Sequence, residues 1–275
     1  MAYIPLIARV NSLPPLPESV LKIETLYASG NPDIDDIVKI IEADPVLTAD
    51  ILVKVNAPLY GFSKTIIDIL QAVTLFGSTQ IRAIVLSSSM NRSFDINLSP
   101  YNISTADFSK ICMIQSELAF QWYMGIDIEL ARELIPIAFL METGKILIAK
   151  DMIDEGKTEK FSEDIFKFKD ISYVENIYTN MTTAQINAIV FEHLNLNETF
   201  YNTMKYLDIE KEIPKEMEGI EAIIIALRVV RAAVNIQEQL TENSLLNATA
   251  LLEQHSLNTS SFSRAVKRIK RKYYE

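Results

Sequence analysis

Asp44-Pro45-Val46-Leu47-Thr48-Ala49-Asp50-Ile51-Leu52-Val53-Lys54-Val55-Asn56-Ala57-Pro58-Leu59-Tyr60-Gly61, followed by Ile66-Ile67-Asp68-Ile69-Leu70-Gln71-Ala72-Val73-Thr74-Leu75-Phe76-Gly77, is the stretch that decides the fold. Asp44 is a helix N-cap, and Pro45 fits the first helical position, where its missing N–H costs nothing. Leu47, Ile51, Leu52 and Val55 then recur at helical spacing. Asn56, Pro58 and Gly61 break the chain. A second helix from about Asp68 carries Ile69, Leu70, Val73 and Phe76, and Gly77 stands where a left-handed C-terminal cap is wanted. The same reasoning makes Gly144, after the apolar run 138–141, a second helix end with positive φ.

Outward from this stretch, every neighbouring segment also reads as helix. Residues 1 to 16 read as an extended lead-in. Helices are expected over 17–28, after Asp33 as cap with Ile34, Ile37, Val38, Ile40 and Ile41 as a wide apolar stripe, and over 79–94 with Ser78 as cap. These five short helices, joined by short connections, make a compact bundle. Residues 95 to 104 are polar and contain Pro100, which makes them a linker. Further helices are read over 106–124, 128–142 (with Pro136 expected to kink or split it), 146–153, 161–168, 173–178, 183–194, 198–207, 220–236, 245–254 and 261–273. Alternating strand patterns are absent. The expected organisation is all-α, with an N-terminal helical lobe over 1–94, a second lobe over 105–240 and terminal helices over 241–275.

Composition bounds the function classes. The 275 residues carry a net charge of −10, so an extended polyanion such as DNA is repelled by the chain as a whole. No run approaches 18 apolar residues, and no membrane span is expected. Cys112 is the single cysteine, which suits a reducing cytoplasm and excludes an internal disulfide. Its setting between Ile111 and Met113 reads as a small core hydrophobe rather than a nucleophile. Ser87-Ser88-Ser89 reads as a place of close helix packing. Six basic residues fall between Arg264 and Lys272, while Phe262, Ala265, Val266, Ile269 and Tyr273 form one apolar stripe of the same helix. That helix is expected to dock on the body of the protein, in preference to a membrane or nucleic acid.

The ordered set of Leu13-Pro14-Pro15-Leu16-Pro17, the Asp44–Gly77 stretch, the Asn56–Gly61 loop and the following helix with Ile81, Arg82, Val85 and Leu86 resembles the HDOD family, the HD-related output domain of bacterial signalling proteins. The resemblance covers roughly 10–240. It implies an all-helical fold, distant kinship with HD-type metal phosphohydrolases, and a regulatory role. In the HD motif a His-Asp pair precedes a Gly-Lys helix start. The matching segment here is Ala138-Phe139-Leu140-Met141-Glu142-Thr143-Gly144-Lys145, with Met141 in place of His and Glu142 in place of Asp.

The other implied ligand positions fall at Gln115, near Thr183, near Lys205-Tyr206, and at Arg228. The chain has two histidines, His193 and His255, and neither lies at chelating spacing from the other. A multi-histidine centre cannot be assembled from them, and both read as ordinary helix residues. The resemblance therefore implies no catalytic residue, no metal and no cofactor here. An all-carboxylate Mg²⁺ site built on Glu142 is the weaker option. The ancestral cleft, lined by Gln115, Met141, Glu142 and Arg228, is either filled by side chains or holds a Glu142–Arg228 pair or a small ligand. The expected function is non-catalytic signal transduction through a protein partner, with Tyr60 and Phe62 as candidate contacts and homodimerisation left open. The alternatives are a divergent metal-dependent phosphohydrolase and a small-ligand sensor.

Overall fold

The computed structural model describes residues 3–30, 32–60, 64–92, 96–168, 170–209 and 218–274. Its elements are helices: α1 (Tyr3–Asn11), α2 (Glu18–Ala28), α3 (Ile34–Glu42), α4 (Pro45–Val55), α5 (Ile69–Phe76), α6 (Ser78–Arg92), α7 (Thr105–Tyr123), α8 (Ile128–Leu140), α9 (Gly144–Asp154), α10 (Thr158–Lys167), α11 (Ile171–Thr179), α12 (Thr183–His193), α13 (Glu198–Leu207), α14 (Glu218–Ala233), α15 (Glu242–Gln254) and α16 (Thr259–Tyr273). Among the described residues no sheet forms; Val234 and Gln239 make an isolated bridge. No single described helix is long and apolar enough to cross a membrane. The fold is all-α.

The chain divides into two compact units, one of residues 14–95 and one of residues 1–13 with 96–275. The first unit holds α2 to α6. Asp33, Asp44 and Asp68 each accept backbone N–H bonds at the start of α3, α4 and α5. Ile23, Ile37, Ile41, Leu47, Ile51 and Val73 fill its core. Asn56, read from the sequence as a helix breaker and the first residue of the Asn56–Gly61 loop, clamps the chain there: its Nδ2 donates to the carbonyls of Leu52 and Ile66, and its Oδ1 accepts from the Ile66 N–H, all at 2.8 Å. Arg82 is buried under α2, where its Nε and Nη2 bind the Glu24 carboxylate at 3.0 and 2.8 Å. Tyr27 caps the guanidinium at 4.6 Å.

Two local expectations are corrected in this unit. Ser78 is the first residue of α6 rather than its cap. Gly77 has the expected positive φ, but at φ 81° and ψ 152° it lies outside the left-handed helical region. Essentially only glycine adopts that conformation. The reason is the 117° turn between α5 and α6, which this single residue makes. A Cβ at Gly77 would meet nothing within 4 Å. Gly77→Val should therefore destabilise the unit through backbone strain alone, by more than about 1 kcal/mol. A urea midpoint equal to that of the unchanged chain would refute this.

In the second unit, residues 1 to 16 are not an extended lead-in. Tyr3–Asn11 is helical because Leu6 and Val10, one helical turn apart, are both buried, and α1 packs on α9 and α12. Arg9 ties it down through Asp154 at 2.7 Å and Asp151 at 3.6 Å. Pro136 does not split its helix; α8 runs through it to Leu140. Cys112 is buried in α7. Helix α16 docks on α7: Phe262, Ala265, Val266 and Ile269 are buried, and the Phe262 ring meets Trp122 edge to face at 5.0 Å.

Candidate functional site

Helices α7, α9, α11, α12 and α14 converge around one buried cluster of charged side chains. Its centre is Lys145, in the first turn of α9. The Nζ lies 2.8 Å from Glu142 Oε2, 3.2 Å from Glu175 Oε1 and 3.2 Å from Thr183 Oγ1. Glu175, on α11, is fully buried and saturated: it also accepts from Tyr101 Oη (2.9 Å), the Thr183 N–H (2.6 Å) and Thr183 Oγ1 (2.7 Å). Glu142 accepts from Gln115 Nε2 at 3.0 Å, and the same amide donates to the Val234 carbonyl at 2.8 Å. Two carboxylates and one ammonium, excluded from water, are tolerable only because they are paired and hydrogen-bonded.

Local sequence explains why these groups meet. Met141, Glu142 and Thr143 make the short connection from α8 to α9, so Glu142 and Lys145 face each other at i,i+3. Gly144 opens α9 without a positive φ, which corrects the conformational reading. A Cβ there would stand 2.5 Å from the Thr183 carbonyl oxygen and 3.2 Å from Asn187 Oδ1. The glycine is needed because the backbones of α9 and α12 approach this closely. Asn187 locks the connection, donating from Nδ2 to the Met141 carbonyl at 2.6 Å and accepting at Oδ1 from Thr143 Oγ1 at 2.9 Å.

Of the positions singled out in the sequence, Gln115, Glu142 and Thr183 come together around Lys145. Met141 lies beside them, fully buried. Arg228 does not pair with Glu142. Its guanidinium donates to the carbonyls of Tyr206, Leu207 and Ile209 at 2.8, 3.0 and 2.5 Å. The arginine turned toward the cluster is Arg231, one turn further along α14, which binds Asp208 at the end of α13. Lys205 lies apart, 3.7 Å from Glu192. Phe62 lies outside the described residues, and Tyr60 sets its ring edge to face on Phe76 at 4.7 Å. His193 Nε2 meets the Leu13 carbonyl at 3.1 Å. Glu175 and Tyr101 escaped sequence reasoning because nothing in their local pattern points at Lys145. Arg231 had a signal, the i,i+3 spacing from Arg228, and so did Lys145 in its Gly-Lys pair.

Beside the cluster lies a cleft of about 810 Å³. Glu142, Lys145, Asp208, Arg228, Arg231 and His255 are among its lining residues. Two buried polar atoms next to it, Gln115 Oε1 and Asp208 Oδ2, have no hydrogen-bond partner among the described residues.

Charge states follow from this geometry. Burial pushes the Glu142 carboxyl up, but Lys145, Arg231 and the hydrogen bonds from Lys145 and Gln115 outweigh it and hold the pKa below its ordinary 4.5. Burial likewise opposes the charge of Lys145, and Glu142 with Glu175 reverses that, raising it above 10.5. Asp208, raised by burial, is brought below 3.8 chiefly by Arg231. Burial and the neighbouring Glu175 push Tyr101 well above 10.

The sign for stability is direct. Glu142 and Asp208 stay ionised in the folded state at pH values where the unfolded chain has taken up protons. Their stabilisation is complete above about pH 4.5 and is lost as pH falls through the folded pKa values. Urea midpoints of the chain should fall between pH 5 and pH 3, and less steeply in Glu142→Gln. Equal slopes would show that Glu142 does not carry this dependence.

The donor set does not fit a transition metal. The ammonium of Lys145 takes the space between Glu142 and Glu175. Gln115, Met141 and Thr183 bring no imidazole, and among the described residues no three His, Cys, Asp or Glu side chains converge.

Residues 13–209 match the HDOD domain. The chain belongs to the HDOD family. At 23% identity over 225 residues it is similar to an uncharacterised protein of Treponema pallidum (strain Nichols), covering 77% of this chain and 40% of that protein. The chain thus spans 40% of the length of this curated relative. Among solved structures, a virulence factor of Campylobacter jejuni subsp. jejuni superposes with a TM-score of 0.60 at 23% identity, over 100% of this chain and 98% of that one. A protein assigned to signal transduction from Marinobacter aquaeolei VT8 gives 0.70 at 18% identity, over 96% of this chain and 58% of that one. A protein named as a phosphohydrolase from Shewanella amazonensis SB2B gives 0.57 at 17% identity, over 96% and 97%. At these identities the likeness is one of fold.

Proposed function

We propose that this chain is a non-catalytic regulatory module of bacterial signal transduction that works in the cytoplasm by binding another protein. The observation that carries the reading is Lys145. A water-activating metal needs ligands around an open position. Here a protein cation already stands between the two carboxylates, and Met141 and Gln115 stand where the resemblance calls for histidine. The signalling assignment of the Marinobacter protein of the same fold supports the reading by analogy. Tyr60 remains a candidate contact in the unit of residues 14–95.

The test is elemental analysis of the purified chain for Fe, Mn and Zn, together with a phosphodiester hydrolysis assay with Mn²⁺ supplied. Stoichiometric metal, or turnover that Lys145→Ala and Glu142→Gln alter, would replace this reading with a divergent phosphohydrolase. The 810 Å³ cleft supports one further alternative, a small-ligand sensor. A nucleotide that raises the melting temperature without being hydrolysed would favour it.

A further inference from the structure

The second unit carries a surface of the opposite charge to the chain. On α16 the buried face holds Phe262, Ala265, Val266 and Ile269. The opposite face exposes Arg264, Lys267, Arg268, Arg271 and Lys272, at i, i+3, i+4, i+7 and i+8, a cationic stripe about 12 Å long. Lys272 pairs with Glu117 at 3.2 Å and Arg268 donates to Gln121 at 3.1 Å. Among the described residues Arg264, Lys267 and Arg271 have no ion-pair partner.

Beside the stripe opens a crevice of about 260 Å³, with Phe120, Trp122, Met124 and Ile126 on one wall and Arg264 and Arg268 on the other. Its rim is apolar and exposed: Met124 is 39% and Ile126 55% accessible, and Ile128 just beyond is 48% accessible. The crevice is held in shape by the packing of Phe262 on Trp122.

We propose that this crevice docks an acidic amphipathic segment of a partner protein, an apolar side chain entering beside Trp122 while flanking carboxylates meet Arg264 and Arg268. The inference rests on the reading of the chain as a protein-binding module and assigns that module a surface. An apolar anchor in a pocket ringed by arginine is the arrangement that concentrates binding energy, and charge complementarity supplies orientation. A bilayer fits less well. It is flat against a concave site, the apolar face of α16 is already buried, and Asp127 and Glu129 stand in the same turn as Ile126 and Ile128. A long nucleic acid would meet the field of a chain carrying −10, whereas a short segment meets only charges within a Debye length of about 8 Å.

Trp122 is the only tryptophan, so its emission reports the crevice directly. The probe is a synthetic helical peptide with leucines at i and i+4 flanked by glutamates, titrated into the full chain. Saturable change in Trp122 emission is expected. Affinity should be at least tenfold weaker for the glutamine version of the peptide and for Arg264→Glu/Arg268→Glu, and it should fall with added salt. Ile126→Ser, on the exposed rim, is a second variant that weakens binding if the charge reversal disturbs folding. No emission change with the glutamate peptide, or equal binding by both variants, overturns the proposal. So does a charge-reversal-sensitive response to phosphatidylglycerol vesicles or duplex DNA without one to the peptide. Hydrolysis assays on the same preparations report on the regulatory reading separately, so either conclusion can fail alone.

Discussion

Lys145→Met should cost the second unit about 3–5 kcal/mol, the penalty for removing one partner from a buried ion pair. Methionine is close to lysine in length and fills the space, so the loss would come from electrostatics rather than from a cavity. Glu142 would keep the amide of Gln115, and Glu175 would keep Tyr101 and Thr183, but no cation would lie in hydrogen-bonding contact with either carboxylate. Glu142, no longer held below its ordinary pKa by Lys145, would then resist ionisation in the folded state, so the deficit should grow as pH rises through the carboxylate range. Urea unfolding at pH 7 and pH 4 measures this directly: the gap from the unchanged chain should be larger at pH 7. Adding Glu142→Gln to Lys145→Met should recover part of the loss, since it removes one of the two stranded charges. A pH-independent gap would mean that the cluster acts through packing, and the electrostatic account would be wrong.

Gly144→Ala should destabilise by about 1–3 kcal/mol, the range for overpacking a close contact. Elsewhere in a helix the same change is favourable by roughly 0.5–1 kcal/mol. The sign is inverted because the atom that the new Cβ would strike, the Thr183 carbonyl oxygen at 2.5 Å, belongs to the backbone of α12 and cannot rotate away. Gly125→Ala is the control. A Cβ there meets nothing within 4 Å and Gly125 has no positive φ, so that variant should unfold at about the same urea concentration as the unchanged chain. If Gly144→Ala did so too, the approach of α9 to α12 would be looser than the structure gives. Because Lys145 adjoins Gly144, the substitution should also disturb the charged cluster, so its effect will not simply add to that of Lys145→Met.

Much of the fold was legible because helices are written locally. Asp33, Asp44 and Asp68 announce three helix starts, and the apolar stripe Phe262–Ala265–Val266–Ile269 announces the buried face of α16. The lead-in was misread because Leu6 and Val10 alone make a weak periodic signal. Helix α1 exists because α9 and α12 bury that pair. Ser78 was misread because a serine at a helix start serves equally as a cap or as a first-turn residue. Only the backbone path through Gly77 decides between them.

The site divides along the same line. By itself the sequence determined the all-α class and the family resemblance, and it showed Met141 and Glu142 at the positions where that resemblance places a His-Asp pair. Residue identity is a local fact, and two histidines cannot make a multi-histidine centre. The tertiary structure alone decided which side chains meet around Glu142. It brought Glu175 to Lys145 across 30 residues, sent Arg228 to backbone carbonyls and turned Arg231 toward the cluster instead. A buried charge is stable only beside its partners, and which partners it meets depends on helix packing at long range, a quantity that no local pattern of residues encodes.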